Sequence, residues 1–311
     1  MTKRERCLAA VRGEEVDRVP FSFWYHFRHL KDDPSGPEFV RCELEFAQKF
    51  DVDFLKVMHD IPYELPAGVE RLERAADWKM LEPLPPDKGN YGRHFQALRA
   101  IREGLPDDRP MVDTFFDPFA YGRRISNNRV LQHLYEDPDA VRQGLRAIAE
   151  SIVSFGRFCV EQGVLDGMFL AVTGATPDIM REEDFREVFL PLDVWIGEEM
   201  AKVGTFNVVH LHGVNIFFEM LLEIPGDVIN WSDRTTKPSL AEARKLTDRC
   251  LAGGINQVHT DIATPEEIRA EVRDAVAKAG RRKLIVACGC AMPTPTPEEN
   301  LLAVKQELER L

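Results

Sequence analysis

The sequence predicts a single (β/α)8 barrel domain over residues 1–311, with an extra helix before the first strand. Three observations predict it. Eight short β-rich apolar runs recur along the chain, helical stretches separate them, and no glycine-rich phosphate loop follows any run. The missing loop removes the usual support for the alternative, a doubly wound open sheet. A chain of 311 residues also suits a barrel of roughly 250 residues or more with a large buried core.

Residues 2–12 read as the extra helix. The apolar runs, taken as strands, are 19–25, 53–58, 110–116, 167–173, 206–212, 227–232, 250–255 and 283–287. After the first, residues 38–50 place Phe39, Cys42, Leu44, Phe46 and Ala47 on one helical stripe. The stretch 62–93, rich in proline and charge, reads as an excursion over the barrel mouth. Asp137-Pro138 opens a long helix to Gln162, with Val141, Leu145, Ile148, Ile152, Phe155 and Phe158 at helical spacing. Helices over 182–203, 239–249 and 265–279 follow. Thr264-Pro265-Glu266-Glu267 is a strong helix start: a Thr N-cap, proline in the first turn, then carboxylates at the positive end of the dipole. Thr296-Pro297-Glu298-Glu299 repeats it for the last helix.

Composition narrows the function. Forty Lys and Arg against 52 Asp and Glu give a net charge of −12, which argues against nucleic-acid binding. Apolar residues at 44 % and charged residues at 30 % fit a globular protein. No run of ~18 apolar residues is present, so no membrane span is expected. The charged start Met1-Thr2-Lys3-Arg4-Glu5-Arg6 lacks the apolar core of a secretory signal, and the expected location is cytoplasmic. Cys7, Cys42, Cys159, Cys250, Cys288 and Cys290 are too scattered for a disulfide framework.

Barrel enzymes carry their chemistry at the C-terminal ends of the strands. Strand five ends in His210-Leu211-His212-Gly213. Residues i and i+2 of a strand share a face, so both imidazoles can chelate one metal. Strand eight ends in Cys288-Gly289-Cys290, whose thiol can reach across the mouth. Two histidines and Cys290 make a zinc set with an open fourth position, as catalysis needs. Cys288 shares the side of Cys290 in an extended segment, as a spare ligand or a group behind the ligands. Asp60, after strand two, is a candidate acid, base or cation stabiliser. Arg28 is a candidate contact for a substrate carboxylate or phosphate. Tyr121, after strand three, is a candidate donor to a developing anion. Trp231 is a candidate pocket floor, and Asp233 a candidate to orient a histidine.

These residues resemble the uroporphyrinogen decarboxylase superfamily. The likeness rests on His210-Leu211-His212-Gly213, Thr264-Pro265-Glu266-Glu267-Ile268, Gly289-Cys290 with Met292-Pro293, and Thr296-Pro297-Glu298-Glu299-Asn300. The run from Arg6 to Pro20, with Gly13, Asp17-Arg18 and Val19-Pro20, extends it over nearly the whole chain. The resemblance implies the same barrel and one of two chemistries. In the decarboxylases, two N-terminal arginines hold substrate carboxylates, and only Arg28 matches one of them here. Asp60 matches their catalytic Asp, and Tyr121 or Arg124 falls where they carry a Tyr. In the corrinoid methyltransferases, His-x-Cys and a later Cys hold zinc. His210, His212 and Cys290 match that set, with His212 in place of the first Cys. A neutral imidazole there in place of a thiolate makes the zinc a stronger Lewis acid. The methyltransferase resemblance implies Zn2+, a corrinoid (cobalamin) carried by a partner protein, and a thiol or similar small acceptor, with the direction of transfer open. The alternative is metal-independent decarboxylation of a tetrapyrrole using Asp60. The resemblance leaves the oligomeric state open.

Overall fold

The computed structural model describes residues 1–30 and 32–311. Eight strands, β1 (Phe21–Ser22), β2 (Leu55–Val57), β3 (Met111–Phe116), β4 (Gly167–Val172), β5 (Val208–Leu211), β6 (Val228–Trp231), β7 (Cys250–Ile255) and β8 (Leu284–Cys288), form one sheet. All pairings are parallel, in the order β2-β3-β4-β5-β6-β7-β8-β1. Helices cover the outer face and side chains fill the inside, so nearly every strand residue is buried. That double burial is why the strands read as unbroken apolar runs rather than alternating ones.

The ladder is interrupted between β1 and β2. The seam is closed by the Asp53 amide donating to the Phe21 carbonyl at 2.9 Å and by Ser22 Oγ donating to the Phe54 carbonyl at 2.8 Å. The Asp53 carboxylate accepts the Phe21 amide at 2.9 Å and is gripped by Arg6 and Arg18. The first run is thus mostly buried non-ladder chain: Phe23 and Trp24 continue inward without strand partners.

The outer layer contains α1 (Lys3–Arg12), α2 (Pro37–Phe50), α3 (Gly89–Gly104), α4 (Pro118–Ile125), α5 (Val130–Glu136) and α6 (Pro138–Glu161). It continues with α7 (Glu182–Asp184), α8 (Leu190–Ala201), α9 (Phe218–Leu221), α10 (Leu240–Leu246), α11 (Pro265–Ala279) and α12 (Glu298–Leu308). The capping box forms at Thr264, whose Oγ1 accepts the Glu267 amide at 3.3 Å. The expected helix over 182–203 is broken by a π turn, Phe185–Phe189. Pro191 has no amide for the Glu187 carbonyl, which accepts from Arg142 at 3.2 Å instead.

Residues 62–93 do not roof the mouth. A 3-10 turn, Ala75–Met80, lays Trp78 along α6 on the flank, with Nε1 donating to His133 Nδ1 at 3.0 Å. Gly144 of α6 permits this approach. A Cβ at 144 would stand 2.8 Å from Trp78 Cε3 and 2.9 Å from its carbonyl oxygen. Gly144→Ala is therefore expected to destabilise by about 1–3 kcal/mol despite the gain in helix propensity. A denaturant midpoint at or above wild type would show that α6 can slide away without cost.

Behind the β2 and β3 ends, His59 Nδ1 and His94 Nε2 both reach Asp113 Oδ2, at 2.9 and 3.0 Å. This buried knot ties the loop after β2 to α3 and sets the direction in which residues 56–60 leave the barrel.

Candidate metal centre at the barrel mouth

The site begins with Asn230, an amide in the middle of β6. Its Nδ2 donates to the Ala252 carbonyl at 2.9 Å and the Cys288 carbonyl at 3.0 Å. Those two acceptors fix the amide, so Oδ1 faces Trp24 Nε1 at 3.2 Å and His210 Nδ1 at 2.6 Å. An amide oxygen only accepts. His210 therefore carries its proton on Nδ1, and Nε2 keeps its lone pair. Burial, reinforced by neighbouring His212, pulls the His210 pKa down to about 3, so the ring is neutral at ordinary pH.

His212 lies just past β5, its amide donating to the Val172 carbonyl at 2.9 Å. Its Nδ1 is 3.5 Å from Cys290 Sγ, and burial lowers its pKa, with the charge of Arg123 adding to the effect. Cys290 is brought in by Gly289, where a Cβ would meet Ser232 Cα at 2.5 Å and the Trp231 carbonyl at 2.9 Å. Only a glycine lets the chain after β8 turn so close to β6. Burial raises the Cys290 thiol, partly offset by the Ala291 amide and Lys56. One donor atom each from His210, His212 and Cys290 lie within 4.8 Å of one another. Two nitrogens and a sulfur, with the remaining side open to a cavity of about 490 Å³, suit a tetrahedral zinc with one exchangeable position.

The cavity is walled by Trp24, Phe169, Thr114 and Phe116, and Lys56, Asp60, Arg123 and Arg124 also face it. Asp60 thus joins the three donors. Its Oδ2 is 2.9 Å from His26 Nδ1. Burial pushes Asp60 up, but His26, Lys56 and Arg124 outweigh that and hold it below the usual carboxylate range. The other expected residues lie elsewhere. Tyr121 is buried in α4 against Phe116 and Tyr63, and Arg124, over the Phe116 ring at 3.9 Å, takes the place at the wall. Trp231 points out of the barrel, with Nε1 donating to the Pro238 carbonyl at 2.7 Å. Arg28 sits on an exposed 3-10 turn, lining two neighbouring clefts that share His26 and Asp60 with the cavity but not lining the cavity itself. Asp233 accepts the Gly254 amide at 2.9 Å rather than a histidine. The Cys288 thiol is buried away from the donor set, and the residue serves through its carbonyl on Asn230.

Sequence reasoning passed over Lys56 and Asn230. Both had a signal, a polar residue within a run otherwise apolar, Phe54-Leu55-Lys56-Val57-Met58 and Val228-Ile229-Asn230-Trp231. Arg123 had none, because arginine after a strand is common.

A closed parallel barrel with chemistry-bearing side chains at its strand ends is the architecture of a large class of enzymes. The family follows from comparison. Residues 57–311 match the model of the uroporphyrinogen decarboxylase (URO-D) family, and the chain belongs to that family. It is 26 % identical over 215 residues to a methylcobamide:CoM methyltransferase, MtaA, of Methanosarcina barkeri (strain Fusaro / DSM 804), a match covering 68 % of this chain and 61 % of the relative. It is 22 % identical over 337 aligned positions to a uroporphyrinogen decarboxylase of Trichodesmium erythraeum (strain IMS101), covering 94 % of this chain and 92 % of the relative. Among solved structures, a methyltransferase from Methanosarcina mazei superimposes with a TM-score of 0.77 at 18 % identity, over 100 % of this chain and 99 % of that one. Among the described residues no helix is long and apolar enough to cross a membrane.

Proposed function

We propose that this protein transfers a methyl group between a corrinoid carried by a partner protein and a thiol or similar small acceptor, with Zn2+ held by His210, His212 and Cys290. The observation that carries the reading is the convergence of two imidazoles and one thiol within 4.8 Å, facing a cavity. A structural zinc would be closed by four protein ligands, whereas the donors gathered among the described residues number three. Methyltransferase relatives add to the support.

Bound there, zinc supplies Lewis acidity that makes a thiol acceptor nucleophilic at neutral pH. The chain's own residues do the rest. Asn230 holds the His210 proton on Nδ1, away from the metal position. His210 and His212 are kept neutral by burial, so no proton blocks their lone pairs. Asp60 and His26 stand at the cavity edge with 43 % and 27 % of their side chains exposed, a hydrogen-bonded route for the acceptor's proton to bulk water. Trp24 and Phe169 present an apolar wall that limits water around the reacting carbon. Tyr121 and Trp231, buried away from the cavity, are assigned no role in this reading.

A second reading, decarboxylation of a tetrapyrrole, is favoured by Asp60 facing the same cavity and by the decarboxylase relative. The two are separated by mixing zinc-loaded protein with methylcobalamin, as a surrogate for the partner-borne corrinoid, and a small thiol. Loss of the methyl–cobalt absorption band should be faster than without protein. His212→Ala and Cys290→Ala should return it to the background rate, while Tyr121→Phe keeps it. If wild type gives only the background rate with every thiol while uroporphyrinogen loses carboxylates, the decarboxylase reading replaces this one.

A further inference from the structure

A second cluster of ligating side chains lies outside the mouth. His59 follows β2, His94 projects from α3, and Asp113 lies within β3. Thr114 lines the mouth cavity, so Asp113, one residue earlier, points the other way, out of the barrel toward α3. The side chains of His59, His94 and Asp113 are 1 %, 0 % and 0 % exposed. The rings of Phe39, Phe115 and Phe155 stand around the two imidazoles.

Hydrogen bonding leaves this knot incomplete. Asp113 Oδ2 faces two imidazole nitrogens, His59 Nδ1 at 2.9 Å and His94 Nε2 at 3.0 Å. Asp113 Oδ1 is buried with no partner, and among the described residues no lysine or arginine pairs with the carboxylate. The hydroxyl of Tyr91, also on α3, is buried without a partner, and its ring stands perpendicular to His59 with centroids 6.2 Å apart. Buried charges are paired or hold metals, and a buried oxygen without a donor marks a place where an ion or water belongs. The spacing suits an ion. One donor atom each from His59, His94 and Asp113 lie within 4.8 Å of one another. Neighbouring ligands on an octahedral ion with bonds of about 2.1 Å stand about 3.0 Å apart, against about 3.4 Å on a tetrahedral one. Both nitrogens keep the octahedral distance from Oδ2. Two imidazoles and a carboxylate, without sulfur, suit Mn2+ or Fe2+. Ser35 Oγ, 2.7 Å from His94 Nδ1, can accept that ring's proton and leave Nε2 its lone pair, the outer contact a ligating histidine usually has.

We propose that His59, His94 and Asp113 form a structural metal site behind the barrel wall, taking one Mn2+ or Fe2+ ion that clamps α3 and the loop after β2 to β3. The ion gives Asp113 Oδ1 the partner it lacks. Sealed from solvent, it enters as the chain folds. Zinc offered to the folded protein therefore counts the mouth alone, and the two sites are independent of each other.

The test uses the whole chain carrying His212→Ala and Cys290→Ala, which removes two of the three donors at the mouth. It is expressed in medium depleted of iron and supplied with Mn2+, then dialysed in the folded state against EDTA. Elemental analysis should find about one manganese per chain. Pulsed electron paramagnetic resonance should show that ion coupled to two imidazole nitrogens. Only His210 remains of the mouth donors, so two imidazoles identify the knot. His94→Gln added to this background should bring the count below about 0.1 per chain, with circular dichroism establishing the fold. If that variant does not fold, the nitrogen couplings of its parent decide. Manganese below about 0.1 per chain in the parent, manganese that EDTA strips from the folded protein, or an ion without two imidazole couplings overturns the inference. So does a full count in folded His94→Gln protein. The knot is then held by its hydrogen bonds alone.

Discussion

Protein purified without a histidine tag and offered zinc should take up about one ion per chain. His210→Ala, His212→Ala and Cys290→Ala should each weaken that uptake severely. Zinc sites of four ligands carry about 10–16 kcal/mol, or roughly 2.5–4 kcal/mol per ligand, so one missing ligand should cost on the order of 10²–10³-fold in affinity. Asn230→Leu replaces no proposed ligand but removes the acceptor that fixes the His210 tautomer, and should cost about 10–100-fold. The pH dependence follows from the same groups. Burial holds the Cys290 thiol above its ordinary range, so below that pKa each zinc bound displaces one proton from sulfur. Zinc affinity should therefore rise about tenfold per pH unit between roughly pH 7 and 8. His210 adds no slope there, its pKa being about 3, and His212, lowered below 6.5, steepens the curve only on the acid side. Competition with a chromophoric chelator reads all of this. An affinity flat with pH would remove Cys290 from the donor set, and a stoichiometry near zero would remove the metal.

The barrel was legible because parallel strands buried on both faces leave an apolar run, and because helix starts such as Thr264-Pro265 are written in local chemistry. What the sequence overstated was strand length. Residues 19–25 are apolar because they are buried, yet only Phe21–Ser22 has ladder partners, and periodicity cannot tell burial from pairing. The helices α3, α4 and α5 went unread. Their registers depend on packing against Trp78, Phe155 and the β3 end, which are contacts between distant segments. Within the site, His210 and His212 were visible by their i, i+2 spacing. Cys290 joined them only because the barrel brings the ends of β5 and β8 to one mouth. Tyr121 shows the opposite failure. It follows β3 in sequence, but α4 begins at Pro118, and one turn of helix carries the ring into the wall while Arg124 reaches the cavity. A loop position and a first-turn helix position look alike in sequence and point in different directions.

Asp53→Ala should be the most damaging single substitution for stability. The carboxylate is fully buried and accepts four hydrogen bonds. Oδ1 takes Arg6 Nη1 at 2.7 Å and Arg18 Nη2 at 2.9 Å, while Oδ2 takes Arg18 Nη1 at 2.5 Å and the Phe21 amide at 2.9 Å. Removing it strips Arg18 of the one carboxylate it pairs with among the described residues, leaves Arg6 with only the half-exposed Asp17, and leaves an amide without its acceptor at the seam where the β1–β2 ladder is missing. Breaking a buried pair from one side costs about 3–5 kcal/mol. At about 2–4 °C per kcal/mol for a domain near this size, the melting temperature should fall on the order of ten degrees. Asp17→Asn is the internal control. Asp17 also binds Arg6, at 2.7 and 2.8 Å, but its side chain is 42 % exposed, and solvent replaces most of what is lost, so about 1 kcal/mol or less is expected. Equal melts for the two variants would mean that water reaches the seam and that the arginines are indifferent to Asp53. The seam also bears on the site. β1 leads directly into Trp24, whose indole donates to the same Asn230 oxygen that orients His210. Loosening β1 should therefore weaken zinc binding in Asp53→Ala protein that is still folded, measured well below its melting temperature. Asp17→Asn should bind zinc as wild type does. Unchanged zinc affinity in folded Asp53→Ala would confine the seam to stability and leave Asn230 held by the Ala252 and Cys288 carbonyls alone.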